Sequence, residues 1–362
     1  MAIATLENLR TILKGMPLEN AQLAELPILE TDETALAMEV NSANAESAWH
    51  QLRNAVERTE RWPVLIVSWM GSASSWPKLL QEEDLFMRFP YSNELDQKHR
   101  NEYHLASSIS KSKGISLEEA YLAVANKNLH DLAAESESID EQLKHLPSSI
   151  IAASERVNLE QSLQAIARRI DEEEREYFQD ILEYYLDETQ NRFGSAPDTE
   201  LLSDLVTNKT IQNSRDLEKW LFSWEISNFS DATLSISDDS STYLEWFDVS
   251  QKSVTLMLLP TSRCWEVPAY LSWYGSESCS SELVIALLKH WHDKYGAELV
   301  SHYGTMLQFI TRRVPETPEE AFQLAWEQAT IAPCTIQLPG VSIRDHARSI
   351  LHTKKWFIHE RP

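Results

Sequence analysis

The spacing of apolar residues along the chain changes near residue 220, and this change restricts the folds that the sequence can adopt. Between about Leu95 and Leu205, apolar residues recur at intervals of three, four and seven, which is typical of helices that bury one face. From Trp220 onward the interval is two in several short segments, which indicates strands. A helical block followed by a block of strands and helices predicts an α+β fold.

Two helices are predicted within the helical block. The first begins at Ser116-Leu-Glu-Glu119, which is a capping box. The second runs from near Ser154 to near Arg192, and the segment Gly194–Pro197 ends it. The acidic run Asp171–Glu176 is predicted to be a solvated face of this helix. Its predicted apolar stripe consists of Leu159, Leu163, Ile166, Ile170, Tyr177, Ile181 and Tyr184.

The segment that follows residue 220 is predicted to be a meander of short strands. A further extended segment, Trp265–Trp273, contains Pro268, which places this segment at a sheet edge or a bulge. The stretch Ser237–Ser241 is a natural turn within the meander. The predicted strands are Trp220–Phe229, Thr233–Ser237, Thr242–Val249 and Val254–Leu259.

The end of the chain alternates between helices and strands. A helix with Val284 and Tyr295 on its inner face ends at Gly296. Thr317-Pro-Glu-Glu320 combines a capping box with proline at the first helical position, which strongly indicates the start of another helix. A third helix carries Ile343 to Leu351. Strands are predicted at Ala297–Ser301, Met306–Thr311 and Lys355–Ile358.

The chain begins with a predicted short amphipathic helix and an extended, partly acidic arm, which together occupy residues 1–40. Ala45–Arg58 has helical spacing, with Trp49 among its apolar positions. Val64–Trp69 is a β-branched run that predicts a buried strand, and Gly71–Pro77 is predicted to be a loop.

The charge of the chain limits the classes of partner that it can bind. The formal net charge is −24, and the first 259 residues carry −23 of it. This acidity argues against nucleic acid and against anionic membrane surfaces, because both require clustered Lys and Arg. It permits a basic protein as partner. The oligomeric state is left open by the sequence.

The cysteines and the apolar runs indicate a cytoplasmic protein. Cys264, Cys279 and Cys334 are few, odd in number and form no C-x-x-C motif, so reduced thiols are expected. The N-terminal ten residues lack the pattern of a secretory signal. The apolar runs are much shorter than the roughly 20 residues that span a bilayer.

The familiar motifs for cofactor and metal chemistry are missing from the sequence. There is no phosphate-binding glycine loop, nucleophile elbow, EF-hand loop or paired-cysteine zinc motif. His290 and His292 lie two residues apart on a helix, so their side chains point in nearly opposite directions and cannot chelate one ion together. We therefore predict no cofactor and no metal, and we assign no catalytic residue.

A binding surface is predicted where aromatic residues cluster around the segment 265–274. On a strand, Trp265 and Trp273 share one face, whereas Tyr270 and Tyr274 share the other. One face is expected to be core, and the second is either a groove or a further packing surface. The candidate binding residues are Trp265, Glu266, Tyr270, Trp273, Tyr274 and His290.

Four segments of the C-terminal hundred residues carry a recognisable pattern, namely Trp265–Leu271, Trp291–Ala297, Pro315–Ala321 and Trp356–Phe357. They resemble the bacterial family known as "domain of unknown function 4253". Its members share a W-x-V-P-A-x-L opening, a helix that ends in W-x-x-x-Y-G-A, a P-x-T-x-E-E-A helix and an aromatic C-terminus. This chain departs from the family where members carry C-P-D, because it has Pro333-Cys334-Thr335. The family has no assigned activity, so the resemblance implies a fold and no mechanism.

The predicted organisation has three parts. Residues 1–44 form the N-terminal helix and arm, and residues 93–214 form a mostly helical insertion. Residues 45–92 and 215–362 form a domain with a mixed or antiparallel sheet and flanking helices, in which residues 260–362 are the family-like segment.

Two functions stay open on the sequence alone. The first is a non-enzymatic intracellular binding protein of the adaptor or toxin-neutralising type. The second is an enzyme whose site is assembled from distant residues in a cleft between the sheet and the helical insertion. A pocket that joins Glu266 or Glu277 with His290 or His302 would favour the enzyme.

Overall fold

The computed structural model describes residues 5–28, 31–66, 146–229, 253–271 and 273–360. These residues fall into two compact units. Residues 5–63, 146–156 and 253–285 belong to the first unit. Residues 64–66, 157–229 and 286–360 belong to the second.

In the described part of the first unit, three strands pair antiparallel with one another. These are β1 (Leu23–Pro27), β2 (Thr34–Asn41) and β4 (Ser253–Leu259), with β2 in the middle. Leu36 of β2 lies opposite Glu25 on one side and Leu258 on the other. The run Ala35–Met38 is fully buried, because apolar side chains on a central strand are covered on both faces.

The helices of the first unit are short. Two large side chains nearby, those of Trp49 and Arg61, donate hydrogen bonds to backbone carbonyls of neighbouring segments. Trp49 donates its indole N–H to the carbonyl of Pro63 at 2.8 Å. The buried guanidinium of Arg61 donates to the carbonyls of Thr34 and Leu258. The helices are α1 (Leu6–Leu13), α2 (Ala45–Arg53), α3 (Val56–Thr59), α4 (Leu146–Ser154) and α9 (Ser276–Cys279).

The strands of the second unit form a mixed arrangement. β3 (Trp62–Ile66), which begins in the first unit, runs parallel to β5 (Glu298–His302) through Leu65 and Ile66. β6 (Met306–Ile310) pairs antiparallel with β5 and with β7 (Lys355–His359). A register shift between Leu299 and Ser301 interrupts the pairing of β5 with β6.

Aromatic residues of helix α10 (Ser281–Tyr295) pack on this sheet. The ring of Trp291 meets the rings of Phe309 and Trp356 edge to face. Gly296 follows the helix with a φ of 65°, a left-handed conformation that glycine adopts without strain. Helix α11 (Pro318–Ile331) begins at Thr317, whose hydroxyl accepts from the amide of Glu320 at 3.2 Å.

Helices make up the rest of the second unit. They are α5 (Leu159–Glu174), α6 (Phe178–Phe193), α7 (Thr199–Thr207), α8 (Ser214–Asn228), α12 (Cys334–Gln337) and α13 (Ile343–Ile350). Helices α6, α7 and α8 bury a small apolar cluster that contains Leu202, Leu217 and Leu221. Helix α13 packs against both α8 and α11.

The α+β class is confirmed, as are the strand near Val254–Leu259 and the predicted helices and strands of the C-terminal hundred residues. The N-terminal arm holds two paired strands, β1 and β2. The long helix is divided into α5 and α6 by a 3-10 turn at Arg175–Tyr177, and Gly194 ends it as predicted.

Two predicted strands are wrong. Trp220–Phe229 lies almost wholly within helix α8, which begins where Asn213 caps the amide of Asp216 at 2.8 Å. Trp265–Trp273 begins as a 3-10 helix at Cys264–Ala269, because hydrogen bonds among Thr261, Arg263 and Glu266 close a tight turn there.

Some predictions lie outside the described residues. They are the capping box Ser116–Glu119, the strands Thr233–Ser237 and Thr242–Val249, and the loop Gly71–Pro77. The division into domains at residues 44, 92 and 214 stays a prediction.

Candidate functional site

The predicted aromatic surface belongs to the first unit, and half of it is core. Tyr270 and Trp273 are buried, whereas Trp265 and Tyr274 are half-buried. The hydroxyl of Tyr270 donates to the carbonyl of Pro260 at 3.4 Å. Since the chain is a 3-10 helix at 264–269, the alternation of faces that a strand would give does not occur.

Trp273 packs so closely on Gly275 that only glycine fits there. A Cβ atom added to Gly275 would lie 2.3 Å from the indole ring of Trp273. The absence of a side chain therefore allows the backbone to approach the ring. This close packing is typical of core, where side chains interdigitate at high density.

Glu266 has a local structural role in this segment. Its carboxylate accepts hydrogen bonds from the hydroxyl of Thr261 and from the guanidinium of Arg263, the latter at 2.9 Å. The residue is buried, so these partners satisfy a carboxylate that would otherwise be costly to bury.

The predicted histidines lie in the second unit, whereas Glu266 lies in the first. His290 is half-buried on α10. His302 is fully buried on β5, and its Nδ1 accepts from the amide of Gly304 at 3.1 Å. Burial lowers the pKa of His302 to about 3, so this ring is neutral at physiological pH.

A network of buried charges ties α13 to α6 and α8 in the second unit. The carboxylate of Glu225 on α8 is fully buried and accepts from the guanidinium groups of Arg344 and Arg348 on α13. Arg344 also donates to the hydroxyl of Thr189 at 3.0 Å and to Glu188 at 2.7 Å. Buried charges are stable only when they are paired in this way.

Glu218 is the second buried carboxylate of this network. It accepts from the hydroxyl of Tyr185 at 2.8 Å and from the backbone amide of Arg344 at 3.1 Å. Burial raises the pKa of Glu218 to about 7, although Arg344 pulls it downward. Burial alone would lower the pKa of Arg344, but Glu225 and Glu218 together raise it, so the guanidinium stays charged.

Helix α6 presents two chemically different faces. Its inner face supplies Tyr185, Glu188 and Thr189 to the buried network. Arg192, one helical turn further on, pairs with Asp345 at the start of α13. These residues recur at intervals of three and four, so one side of α6 is fixed to its neighbours along its length.

The outer face of α6 carries tyrosines and carboxylates that are exposed. We define this outer face as Asp180, Glu183, Tyr184 and Asp187 of α6 together with Tyr177, the last residue of the 3-10 turn that directly precedes the helix. Tyr177 is 60% exposed and Tyr184 is 63% exposed, which makes them the most exposed large hydrophobic residues of the described chain. The three acidic residues are also exposed. Among the described residues, no ion pair involves them.

The prediction that Tyr177 and Tyr184 belong to an apolar inward stripe is therefore wrong. Their spacing of seven does place them on one side, but that side faces solvent. The local sequence does not distinguish the two sides, because the inward-facing Tyr185 is also followed three positions later by an acidic residue, Glu188.

In the described ranges, no group of three or more His, Cys, Asp or Glu side chains is arranged to hold a metal ion. In the same ranges, no helix combines the length and the apolar character that a membrane crossing requires.

The structure thus defines an α+β protein in which a buried ion network holds an exposed acidic helix. Residues 255–359 match the family model described as "Domain of unknown function (DUF4253)", so the predicted resemblance is confirmed. Arg344 and Arg348 lie within the matched residues, whereas Glu188, Glu218 and Glu225 lie outside them. The comparisons with curated proteins and with solved structures gave no match.

Proposed function

We propose that this protein is a non-enzymatic binding protein whose partner is a basic protein, in the manner of an adaptor or a neutralising protein. The observation that carries the proposal is the separation of roles on α6. One side of the helix is anchored by ion pairs to buried arginines. The adjoining side exposes two tyrosines among three carboxylates that form no ion pair with any described residue.

The charge of this part of the chain supports a basic partner. Residues 157–229 contain 16 Asp and Glu against 7 Lys and Arg. The two arginines that α13 brings to this region are buried and bound to Glu225, so they do not neutralise the outer face. An exposed patch of one sign attracts a partner of the other sign and speeds their encounter.

The exposed tyrosines support a protein partner over a small cation. Tyrosine is enriched at protein interfaces, where its ring supplies contact area and its hydroxyl supplies a hydrogen bond. The anchored inner face also favours binding of a partner to the outer face, because a surface that is already ordered loses less conformational entropy on binding.

We place this binding role in the cytoplasm. The three cysteines are thiols rather than disulfide partners, which suits a reducing compartment.

The proposal is tested by isolating the tagged full chain from a lysate of the cells that encode it. We expect an equimolar protein partner with an isoelectric point above about 9, by analogy with other basic interfaces. Because the attraction is electrostatic, about 0.5 M NaCl should release this partner. Recovery of no equimolar protein, or only of acidic proteins that salt does not release, would contradict the proposal.

A further inference from the structure

We propose that the outer face of α6 recognises arginine side chains of its partner, and that Tyr177 and Tyr184 make the face selective for arginine over lysine. This inference rests on the proposed function, because it names the chemistry by which the basic partner is held. It is drawn from an arrangement that the same helix already uses on its inner face.

The inner face of α6 supplies a ring and a carboxylate to the site that binds Arg344. The guanidinium carbon of Arg344 lies 5.1 Å from the ring centroid of Tyr185. The same guanidinium donates to the carboxylate of Glu188 at 2.7 Å. Tyr185 and Glu188 are three residues apart, so the ring and the carboxylate stand side by side on the helix. A tyrosine with an acidic residue three positions later therefore forms part of an arginine site here, which Glu225 and Thr189 complete.

The outer face repeats this spacing twice. Tyr184 is followed three residues later by Asp187, and Tyr177 is followed three residues later by Asp180. Both tyrosines and both aspartates are exposed, so an incoming side chain can reach them. The outer face thus offers two copies of the ring and carboxylate pair that binds Arg344 on the inner face.

Arginine fits this pair better than lysine does. Its planar guanidinium can stack on an aromatic face while its N–H groups donate hydrogen bonds to a carboxylate that lies in the guanidinium plane. The lysine ammonium is compact and strongly hydrated, so it gains less from the ring. A cation that lies over an exposed ring gains an amount equivalent to a factor of about 2 to 5 in affinity.

The distance between the two tyrosine and aspartate pairs determines how far apart the arginines of the partner must lie. Tyr177 and Tyr184 are seven residues apart, which corresponds to about 10 Å along a helix. The inferred occupant is therefore a segment of a basic protein that presents two arginines about 10 Å apart, such as one helix face with a spacing of seven.

The test uses the full chain and two synthetic helical peptides of about 16 residues, long enough to be helical in isolation. One peptide carries two arginines seven residues apart, and the other carries lysines at the same positions. Fluorescence anisotropy at low salt measures the dissociation constant of each. We expect the arginine peptide to bind about 3- to 10-fold more tightly, since two rings contribute.

Three variants assign the effect to residues. In Tyr177→Ala/Tyr184→Ala the preference for arginine should disappear, whereas Tyr177→Phe/Tyr184→Phe should keep it because the rings remain. Asp180→Asn/Asp187→Asn should weaken the binding of both peptides. The matched control is Asp204→Asn/Glu319→Gln, which removes two exposed acids from α7 and α11 and should leave both affinities within about 2-fold.

The outcomes separate this inference from the proposed function. Equal binding of the two peptides, or an arginine preference that survives the double tyrosine-to-alanine change, overturns the inference even if a basic partner is isolated from the lysate. An arginine preference that is lost with the tyrosines supports the inference, and absence of any cellular partner would then count against the proposed function alone.

Discussion

Tyr184 and Tyr185 are consecutive residues of α6 with rings 5.5 Å apart, yet the first is exposed and the second is half-buried against the buried network. Tyr184 is 63% exposed. The Tyr185 hydroxyl donates to the buried carboxylate of Glu218, and burial raises the pKa of that hydroxyl. The boundary between the anchored face and the exposed face of α6 therefore runs between these two residues.

Replacing Glu225 should destabilise the second unit strongly. Glu225→Gln removes the charge that both Arg344 and Arg348 contact, and it leaves two buried guanidinium groups less well compensated. Breaking one partner of a buried ion pair costs about 3–5 kcal/mol. The free energy of unfolding, measured by denaturant titration, should fall by that amount.

Glu183→Gln is the matched control for this change. Glu183 is exposed on the outer face of α6. Among the described contacts, its carboxylate accepts only from the side chain of Gln179. Its replacement should change the free energy of unfolding by less than about 0.5 kcal/mol. Equal effects of the two changes would show that the buried network does not hold the helices together.

Two buried histidines should lower the stability of the fold as the pH is lowered from about 6.5 to 4. Glu218, whose pKa burial raises to about 7, takes up a proton in the folded state over the same range and offsets part of this loss. Burial lowers the pKa of His302 to about 3 and the pKa of His346 to about 4. Both rings stay neutral in the folded chain and take up a proton on unfolding, so the unfolded state gains as the pH falls. Each histidine contributes a slope of up to about 1.4 kcal/mol per pH unit.

His302→Gln tests this assignment. The glutamine side chain is similar in size, does not titrate and keeps an acceptor for the amide of Gly304. Unfolding curves at several pH values should show a shallower loss of stability in this variant between pH of about 6 and 4. An unchanged slope would mean that His302 is not a source of the acid sensitivity.

The signals that predicted the fold correctly combine several local cues at one position. Thr317-Pro-Glu-Glu320 joins a capping residue to proline at the first helical position, and Gly296 supplies the positive φ that ends a helix. The aromatic residues of α8 are compatible with either a strand or a helix, because Trp220, Phe222 and Trp224 alternate as they would in a strand. The cap at Asn213 favours the helix, because its side chain accepts from the amide of Asp216.

The buried network could not be predicted from the sequence. Glu225 and Arg344 are 119 residues apart, and Glu188 and Arg344 are 156 apart, so no local spacing links them. The spacing of Tyr177 and Tyr184 does predict a shared side of the helix. It does not state whether that side is buried, because tyrosine occurs both in cores and at surfaces.

Gly296, which follows α10, and Gly304, which lies between β5 and β6, should respond differently to substitution by alanine. Both have positive φ, 65° at Gly296 and 82° at Gly304, so each substitution strains the backbone by about 1 kcal/mol. A Cβ at Gly296 would also lie 2.7 Å from Cγ of Arg312, whereas a Cβ at Gly304 meets nothing within 4 Å.

Gly296→Ala should therefore cost about 2–3 kcal/mol, because it also pushes Arg312 away from the carboxylate of Glu298, 3.1 Å from the guanidinium. Gly304→Ala should cost about 1 kcal/mol. Thermal and denaturant unfolding of both variants measure the difference. If Gly304→Ala proved the more damaging, the packing of Arg312 over Gly296 would be contradicted.

The most direct measurement of the central claim compares three baits in one isolation from the native lysate. The baits are the wild-type chain, the outer-face variant Tyr177→Ala/Tyr184→Ala/Asp180→Asn/Asp187→Asn, and the control Asp204→Asn/Glu319→Gln. We expect the wild type and the control to retain the same basic protein in equimolar amount, and the outer-face variant to retain at least about 10-fold less of it. Retention of that protein by the outer-face variant at the wild-type level, or absence of a basic partner from the wild type, would contradict the account.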